Sequence, residues 1–574
     1  MSKKAVIQFE NFTFQYKAQQ KPTLSDINLT IYEGEKILVL GASGSGKSTL
    51  VNCINGIIPF AYSGNITGSC RINGTDTQGL SVFELSRYVG TVLQDSDAQF
   101  VGLSVGEDIA FAMENENMPR GEMLTRVFEQ SSQVGMDQFL SALPFNLSGG
   151  QKQKVALAGV LGDDMNILIF DEPLASLDPE TGLLAIDLID QIASEGGRTV
   201  IIIEHRLEDV LYRPVDRIVI VDEGKIAADV TPAELLKSTL LSEYGIREPL
   251  YITAMKYAGC DISQTVSIEN IEKITFTDED SQKLTDFFSS DILKTTKEHG
   301  DVVISAENVY FSYDQTPSDR DVISDVSFSV RQGERIAVIG KNGAGKSTMA
   351  RLICGISRPK KGRIFIAGTD SSVLTVKEIG EHVGYVMQNP NQMIVKDTIK
   401  DEVELALKLR RMPESEIQRR SEEALRICEL YRMRNWPVDS VSYGQKKRIT
   451  VADILALEPE VIIFDEPTAG QDYRHYMKII DFINRVNKDY GKTIIFITHD
   501  MHLAIENTDR AIVFADGRVI ADDSVFSVLS DEEIIEEANL KQTSLFTLAG
   551  RLGLPPERVI EHYIRFERTS RTDE

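Results

Sequence analysis

Short apolar runs of strand length lead into glycine-rich turns and then into helix-forming stretches, and this order occurs twice along the chain. Ile37–Leu40 and Ile336–Ile339 feed directly into glycine loops, and Ile167–Phe170, Thr199–Ile203 and Val461–Phe464 are further runs of the same kind. Such runs have the length of buried strands and fall well below the roughly 18 uninterrupted apolar residues that span a bilayer. In each half the order is strand, glycine loop, helix, an irregular middle, then a strand ending in paired acids. That order predicts an α/β fold with a largely parallel sheet in each half.

The halves are copies of one another. GASGSGKST at 41–49 recurs as GKNGAGKST at 340–348, and a constant offset of 294 residues relates Gln94 to Gln388, Ser148 to Ser442, Asp171 to Asp465 and His205 to His499. A spacing kept over such a distance means one fold used twice. The expected domains are 1–240, a linker with a small appended subdomain at 241–300, a second domain at 301–535, and a helical appendage at 536–574. The apolar pattern of 241–300 is too rich for a floppy tether. Leu545, Leu548 and Leu552 stand at helical spacing, and Pro556 suits the first turn of a following helix.

Composition narrows the partners. Lys+Arg 61 against Asp+Glu 87 gives a net charge of −26 over 574 residues, which disfavours nucleic acid and anionic lipid as the main partner. The five cysteines form no C-x-x-C pair, so neither a disulfide framework nor a zinc site is expected. The N-terminal MSKKAVIQFENFTF lacks an apolar secretion core. A cytoplasmic chain is expected, unless something holds it to a membrane.

Gly41-Ala-Ser-Gly-Ser-Gly46-Lys47-Ser48 satisfies G-x-x-x-x-G-K-[ST], and Gly340, Gly345, Lys346 and Ser347 repeat it. Glycines let backbone N–H groups and a helix N-terminus wrap phosphates closely. Each lysine would meet the β/γ-phosphates of ATP, and each serine hydroxyl would hold Mg²⁺. Asp171-Glu172 and Asp465-Glu466 close two apolar strands. There the aspartate can hold Mg²⁺ through water and the glutamate can polarise an attacking water.

Between these elements lies Leu147-Ser-Gly-Gly-Gln151, and with it the chain resembles the ATP-binding-cassette (ABC) family over nearly all of 1–240 and 302–535. The resemblance implies two P-loop cassettes, each with an antiparallel β region and a helical signature subdomain beside the main sheet. It implies ATP contacts from Ser43, Gly44, Thr49, Asn342, Gly343 and Thr348 in the loops, and from Ser148, Gly150, Gln151, Ser442, Gly444 and Gln445 in the signatures. It also implies adenine stacking on Tyr16 and Tyr313, D-loop roles for Asp178 and Asp472, and γ-phosphate contacts from His205 and His499. Gln94 and Gln388 would ligate Mg²⁺ and relay its state to a membrane partner. In that family each signature closes over the ATP of the other cassette, so two composite sites are expected from the halves held in one chain.

Tandem cassettes serve several classes. Twin-cassette translation factors use a long basic linker, whereas 241–300 carries 11 acidic and 6 basic residues. Fused sugar importers usually have a damaged second P-loop, and Lys346 and Ser347 are intact. DNA-repair cassettes need zinc modules or coiled coils. Gln388-Asn-Pro-Asn-Gln392, the looser Gln94-Asp-Ser-Asp-Ala-Gln99 and Glu248–Gly259 (EPLYITAMKYAG) resemble the double-cassette ATPase of energy-coupling-factor and cobalt-type importers. That resemblance implies an integral coupling subunit, a membrane subunit binding a vitamin, vitamin precursor or metal ion, and a peripheral place on the cytoplasmic face of the cell membrane. A ribosome-bound translation factor is the alternative.

One substitution separates the halves. The second signature reads Val441-Ser442-Tyr443-Gly444-Gln445, with a tyrosine where the first has Gly149. If the position needs a glycine-only backbone, Tyr443 strains the signature and weakens the Lys47 site. If it has ordinary helix-start geometry, Tyr443 only packs nearby.

Overall fold

The computed structural model describes residues 4–17, 19–93, 99–161, 165–175, 177–290, 300–313, 321–468 and 471–570. Gln94 lies outside these, as do Ser176 and Gly470, each two residues before the expected D-loop aspartates Asp178 and Asp472. The chain divides into two compact units, Met1–Asp280 with Gly470–Arg474, and Ser281–Ala469 with His475–Glu574.

The first unit contains β1 (Ala5–Tyr16), β2 (Leu24–Tyr32), β3 (Lys36–Leu40), β4 (Gly64–Ile72), β5 (Thr75–Asp76), β6 (Val89–Val92), β7 (Ile167–Asp171), β8 (Thr199–Ile203), β9 (Arg217–Asp222) and β10 (Lys225–Val230). They form a four-stranded antiparallel sheet, β2-β1-β4-β5, and a six-stranded sheet, β10-β9-β3-β8-β7-β6. The larger sheet is parallel except for the edge strand β10. The runs Lys36–Leu40 and Thr199–Ile203 are buried at every position, as strands covered on both faces must be. Phe9, Phe12 and Phe14 of β1 join Ile37, Ile169 and Ile203 in one core. Three helices, Val105–Asn115, Arg120–Gln133 and Gly149–Val160, form the helical part.

The second unit repeats this plan with β11 (Val302–Phe311), β12 (Ile323–Arg331), β13 (Arg335–Gly340), β14 (Lys361–Ile366), β15 (Thr369–Asp370), β16 (Val383–Val386), β17 (Val461–Asp465), β18 (Thr493–Ile497), β19 (Arg510–Ala515) and β20 (Arg518–Ser524). Their orders are β12-β11-β14-β15 and β16-β17-β18-β13-β19-β20. The α/β expectation, with an antiparallel region and a helical signature part in each half, is thus met. In both large sheets the P-loop strand lies between the strand preceding the histidine and the strand that follows it in sequence, which brings loop, acids and histidine to one sheet end.

About half of residues 232–289 is helical, in Pro232–Leu236, Leu240–Glu243, Leu250–Tyr257 and Asp278–Ser289. At the C-terminus, the helices Ser544–Leu552 and Pro556–Ser570 follow the spacing read from the leucines and Pro556. Leu545 and Leu548 are buried there, whereas Leu552 is only half-buried. Among the described residues no helix is long and apolar enough to cross a membrane, and all five cysteines are free thiols.

Candidate nucleotide site

Each glycine loop closes the end of a buried strand and starts a helix. Gly41, Gly44 and Gly46 have φ of 148°, 79° and 112°, and Gly340, Gly343 and Gly345 have 140°, 79° and 101°. A Cβ on Gly41 would lie 2.1 Å from the Val221 carbonyl oxygen, and one on Gly340 2.0 Å from that of Phe514. Glycine is therefore required there both by backbone angle and by close approach. Ser43, Gly44 and Ser48 are exposed on the first loop, and Asn342 and Gly343 on the second, where Ser347 and Thr348 are half-buried.

The lysines fold back over their loops. Lys47 Nζ donates to the carbonyls of Gly41 and Ala42 at 2.8 and 2.9 Å, and Lys346 Nζ to those of Gly340 and Lys341 at 2.7 and 2.9 Å. Burial lowers the basicity of Lys47, opposed by the charges of Glu172, Asp472 and Asp171. Such an ammonium gains from an anion that replaces its carbonyl partners. Ser43 N–H donates to Asp472 Oδ2 at 2.6 Å, within the first unit, which includes 470–474. Asp178 caps the helix Pro179–Gly196, accepting from Thr181 N–H at 3.0 Å.

The acids at the strand ends are brought to the same place. Asp171 is pushed up to about 6, first by burial and then by Glu172, against Lys47 and His205. Asp465 is also raised by burial, while Tyr385 and Ser347 donate to it and hold it down. Ser347 Oγ donates to Asp465 Oδ1 at 3.4 Å. A serine hydroxyl and a carboxylate, both hard oxygen donors beside a phosphate cradle, suit Mg²⁺, and Ser48 and Asp171 supply the same donor types. Glu172 and Glu466 take left-handed backbone, φ 49° and 46°, a costly conformation for a side-chain-bearing residue. Their carboxylates meet the histidines, Glu172 Oε1 at 3.1 Å from His205 Nε2 and Glu466 Oε1 at 2.7 Å from His499 Nδ1.

Tyr16 Oη lies 3.2 Å from Thr49 Oγ1, and Tyr313 Oη 3.2 Å from Thr348 Oγ1. Phe14 and Phe311 pack edge-on against these tyrosine rings, leaving each tyrosine partly exposed beside its P-loop helix.

Both signatures start a helix through a capping box. Ser148 Oγ accepts from Gln151 N–H and Ser442 Oγ from Gln445 N–H, each at 3.3 Å. A Cβ on Gly150 would meet Thr181 Cγ2 at 2.4 Å. Neither Gly149 nor Gly444 has a positive φ, and Tyr443 is the first residue of the helix Tyr443–Leu455. Of the two readings of Tyr443, backbone strain is therefore excluded. Its hydroxyl instead donates to the Gln388 carbonyl at 3.3 Å, within the second unit.

Three further residues shape the site and escape motif reading. Buried Lys447 donates to the Pro467 carbonyl at 2.6 Å and is lowered to about 8 by burial. Buried Glu204 accepts from the backbone N–H of Leu174 and His205, each at 2.8 Å. Tyr385 Oη donates to Asp465 Oδ2 at 2.5 Å. Their available signals were adjacency alone: Glu204 precedes His205, and Tyr385 comes three residues before Gln388.

Comparison with known proteins agrees with this geometry. Residues 24–175 and 323–469 match the ABC transporter family, and 238–311 match a family described as ATP-binding cassette cobalt transporter. An ABC transporter ATP-binding protein of Clostridium perfringens is 52% identical over 572 residues, covering 100% of both chains. One of Enterococcus faecalis is 50% identical over 570 residues, covering 99% of this chain and 100% of the relative. Among solved structures, cbiO1 of Clostridium perfringens, described as part of the ABC transporter complex cbiONQ, is 29% identical with a TM-score of 0.38, covering 42% of this chain and 95% of that one.

Proposed function

Because the chain belongs to the ABC transporter family and is the ATP-hydrolysing subunit of a transporter, we propose that it drives an importer of the energy-coupling-factor type. The cargo class we assign is a vitamin, a vitamin precursor or a metal ion. The observation that carries this reading is the match of 238–311, the segment joining the two halves, to the cobalt-transporter cassette family. Gln388-Asn-Pro-Asn-Gln392 supports it. The partners are an integral coupling subunit and a small substrate-binding membrane subunit, which hold the chain on the cytoplasmic face of the membrane. The boundaries 1–240, 241–300, 301–535 and 536–574 belong to the same proposal.

In this reading each P-loop binds ATP and each signature completes the site of the opposite half. Lys47 and Lys346 exchange their loop carbonyls for β/γ-phosphate oxygens. Ser48 with Asp171 and Gln94, and Ser347 with Asp465 and Gln388, would hold Mg²⁺, which neutralises phosphate charge when bound. Glu172 and Glu466 orient the attacking water and take its proton. His205 and His499, in contact with those carboxylates, keep them aimed and meet the γ-phosphate.

The test is affinity purification from detergent-solubilised membranes, with identification of what co-purifies. Two integral proteins, one small and cargo-binding, are expected, together with loss of membrane sedimentation when they are deleted. Co-sedimentation with ribosomes that survives detergent would overturn the reading.

A further inference from the structure

The carboxylate at the end of β17 has a tyrosine hydroxyl as partner that, among the described residues, its counterpart on β7 lacks. β16 runs parallel to β17, pairing Tyr385 with Ile463 and Val386 with Phe464. From there the Tyr385 hydroxyl donates to Asp465 Oδ2 at 2.5 Å, and Asp465 Oδ1 faces the Ser347 hydroxyl at 3.4 Å. The first half has the same register, with Thr91 opposite Ile169 and Val92 opposite Phe170. Thr91 thus occupies the position of Tyr385, but its Oγ1 accepts from Asn55 Nδ2 at 3.4 Å. Its short side chain lacks the aromatic ring that carries the Tyr385 hydroxyl to the acid. The two sheets are equivalent in backbone and differ in this donor.

We propose that Tyr385 is a positioning residue for the Mg²⁺-holding carboxylate of the second ATP site. The hydroxyl occupies Oδ2 and fixes the carboxylate rotation, which leaves Oδ1 directed at Ser347, where the two oxygens would hold Mg²⁺. A hydrogen bond to a charged, largely buried acceptor is among the stronger ones, and a pre-set ligand loses less freedom on binding. Asp171 has no tyrosine at the matching position, so the first site must order its carboxylate when metal arrives. The site at Lys346 therefore takes up Mg²⁺–nucleotide at lower metal concentration than the site at Lys47. Tyr385 stands three residues before Gln388 on the same strand-to-loop path.

The inference rests on Asp465 being the Mg²⁺ carboxylate, and the experiment separates the two. Full-length chain carrying Lys47→Ala is titrated with Mg²⁺ while binding of a fluorescent, non-hydrolysable ATP analogue is followed, with metal-free binding measured in parallel. Tyr385→Phe, which removes one oxygen and keeps the ring, should raise the Mg²⁺ concentration for half-saturation about tenfold. Metal-free binding should be unchanged. Tyr385→Thr, which installs the residue of the first half, should act in the same direction, and Mn²⁺ binding followed by electron paramagnetic resonance should weaken in parallel. Unchanged Mg²⁺ dependence in Tyr385→Phe, or equal weakening with and without metal, overturns the proposal. If Asp465→Asn also leaves the Mg²⁺ dependence unchanged, the assignment of Asp465 fails as well.

Discussion

His499 Nδ1 lies 2.7 Å from Glu466 Oε1, and the matching pair in the first half, His205 Nε2 and Glu172 Oε1, is 3.1 Å apart. The contact ties the end of one buried strand to the end of its neighbour, so glutamate and histidine act as a unit. Replacing both glutamates by glutamine keeps shape and P-loops but removes the proton acceptor. Turnover should fall on the order of 10²–10⁴-fold while ATP binding persists. Steady-state hydrolysis and nucleotide binding on Glu172→Gln/Glu466→Gln check this, and near-wild-type hydrolysis would show that the glutamates are misassigned.

The backbone at these glutamates makes a separate prediction about stability. With φ near +49° and +46°, a Cβ is a liability and glycine is not. Glu466→Gly and Glu466→Ala both lose the carboxylate, so their difference isolates the backbone. The glycine variant should be more stable by about 1 kcal/mol in urea denaturation. An alanine variant equal to or better than glycine would contradict the left-handed assignment. The strain would then be absent from the site.

Tyr443 makes a third case. Since it starts a helix in ordinary geometry and donates to Gln388 O at 3.3 Å, Tyr443→Gly relieves nothing. It should leave the chain no more stable, and less so by up to about 1 kcal/mol. Thermal denaturation of the two proteins decides it. A higher melting temperature in Tyr443→Gly would restore the strain reading.

How much of this was legible in the sequence follows from the kind of signal involved. The P-loops, strand-end acids and signatures were readable because glycine spacing and fixed residue order report directly on backbone path. The parallel sheet was readable because Ile37–Leu40 and Ile167–Phe170 are continuous apolar runs, the mark of strands covered on both faces. The contacts of Tyr385, Glu204 and Lys447 were not. Each depends on which residue a neighbouring element places opposite it, and residues such as Tyr385 and Asp465 are far apart in sequence. Tyr443 shows the opposite limit: its departure from the motif was plain, but its effect depended on a φ angle that a side-chain list does not carry.

The last prediction concerns acid. His562 is buried in the C-terminal helix Pro556–Ser570, against Phe287 and Phe288 of the helix Asp278–Ser289, with Nε2 at 3.0 Å from Ser290 Oγ. Its Nδ1 is buried and makes no hydrogen bond among the described residues. Burial, reinforced by Arg558 and opposed by Glu561, pushes the imidazole down to about 4. An unfolded histidine protonates near 6.5, so between about 6.5 and 4 the unfolded chain binds more protons than the folded one. Stability then falls as pH falls through that window, by up to about 1.4 kcal/mol per pH unit from this group. Other acids titrate in the same range, so the comparison must be with His562→Phe, which fills the aromatic cluster without a titrating nitrogen. Between pH 7.5 and 5 the wild-type melting temperature should drop more than that of the variant, and protease should release the C-terminal helix from wild type first. Parallel pH profiles in the two proteins would mean that the imidazole is not what anchors this helix in a pH-dependent way.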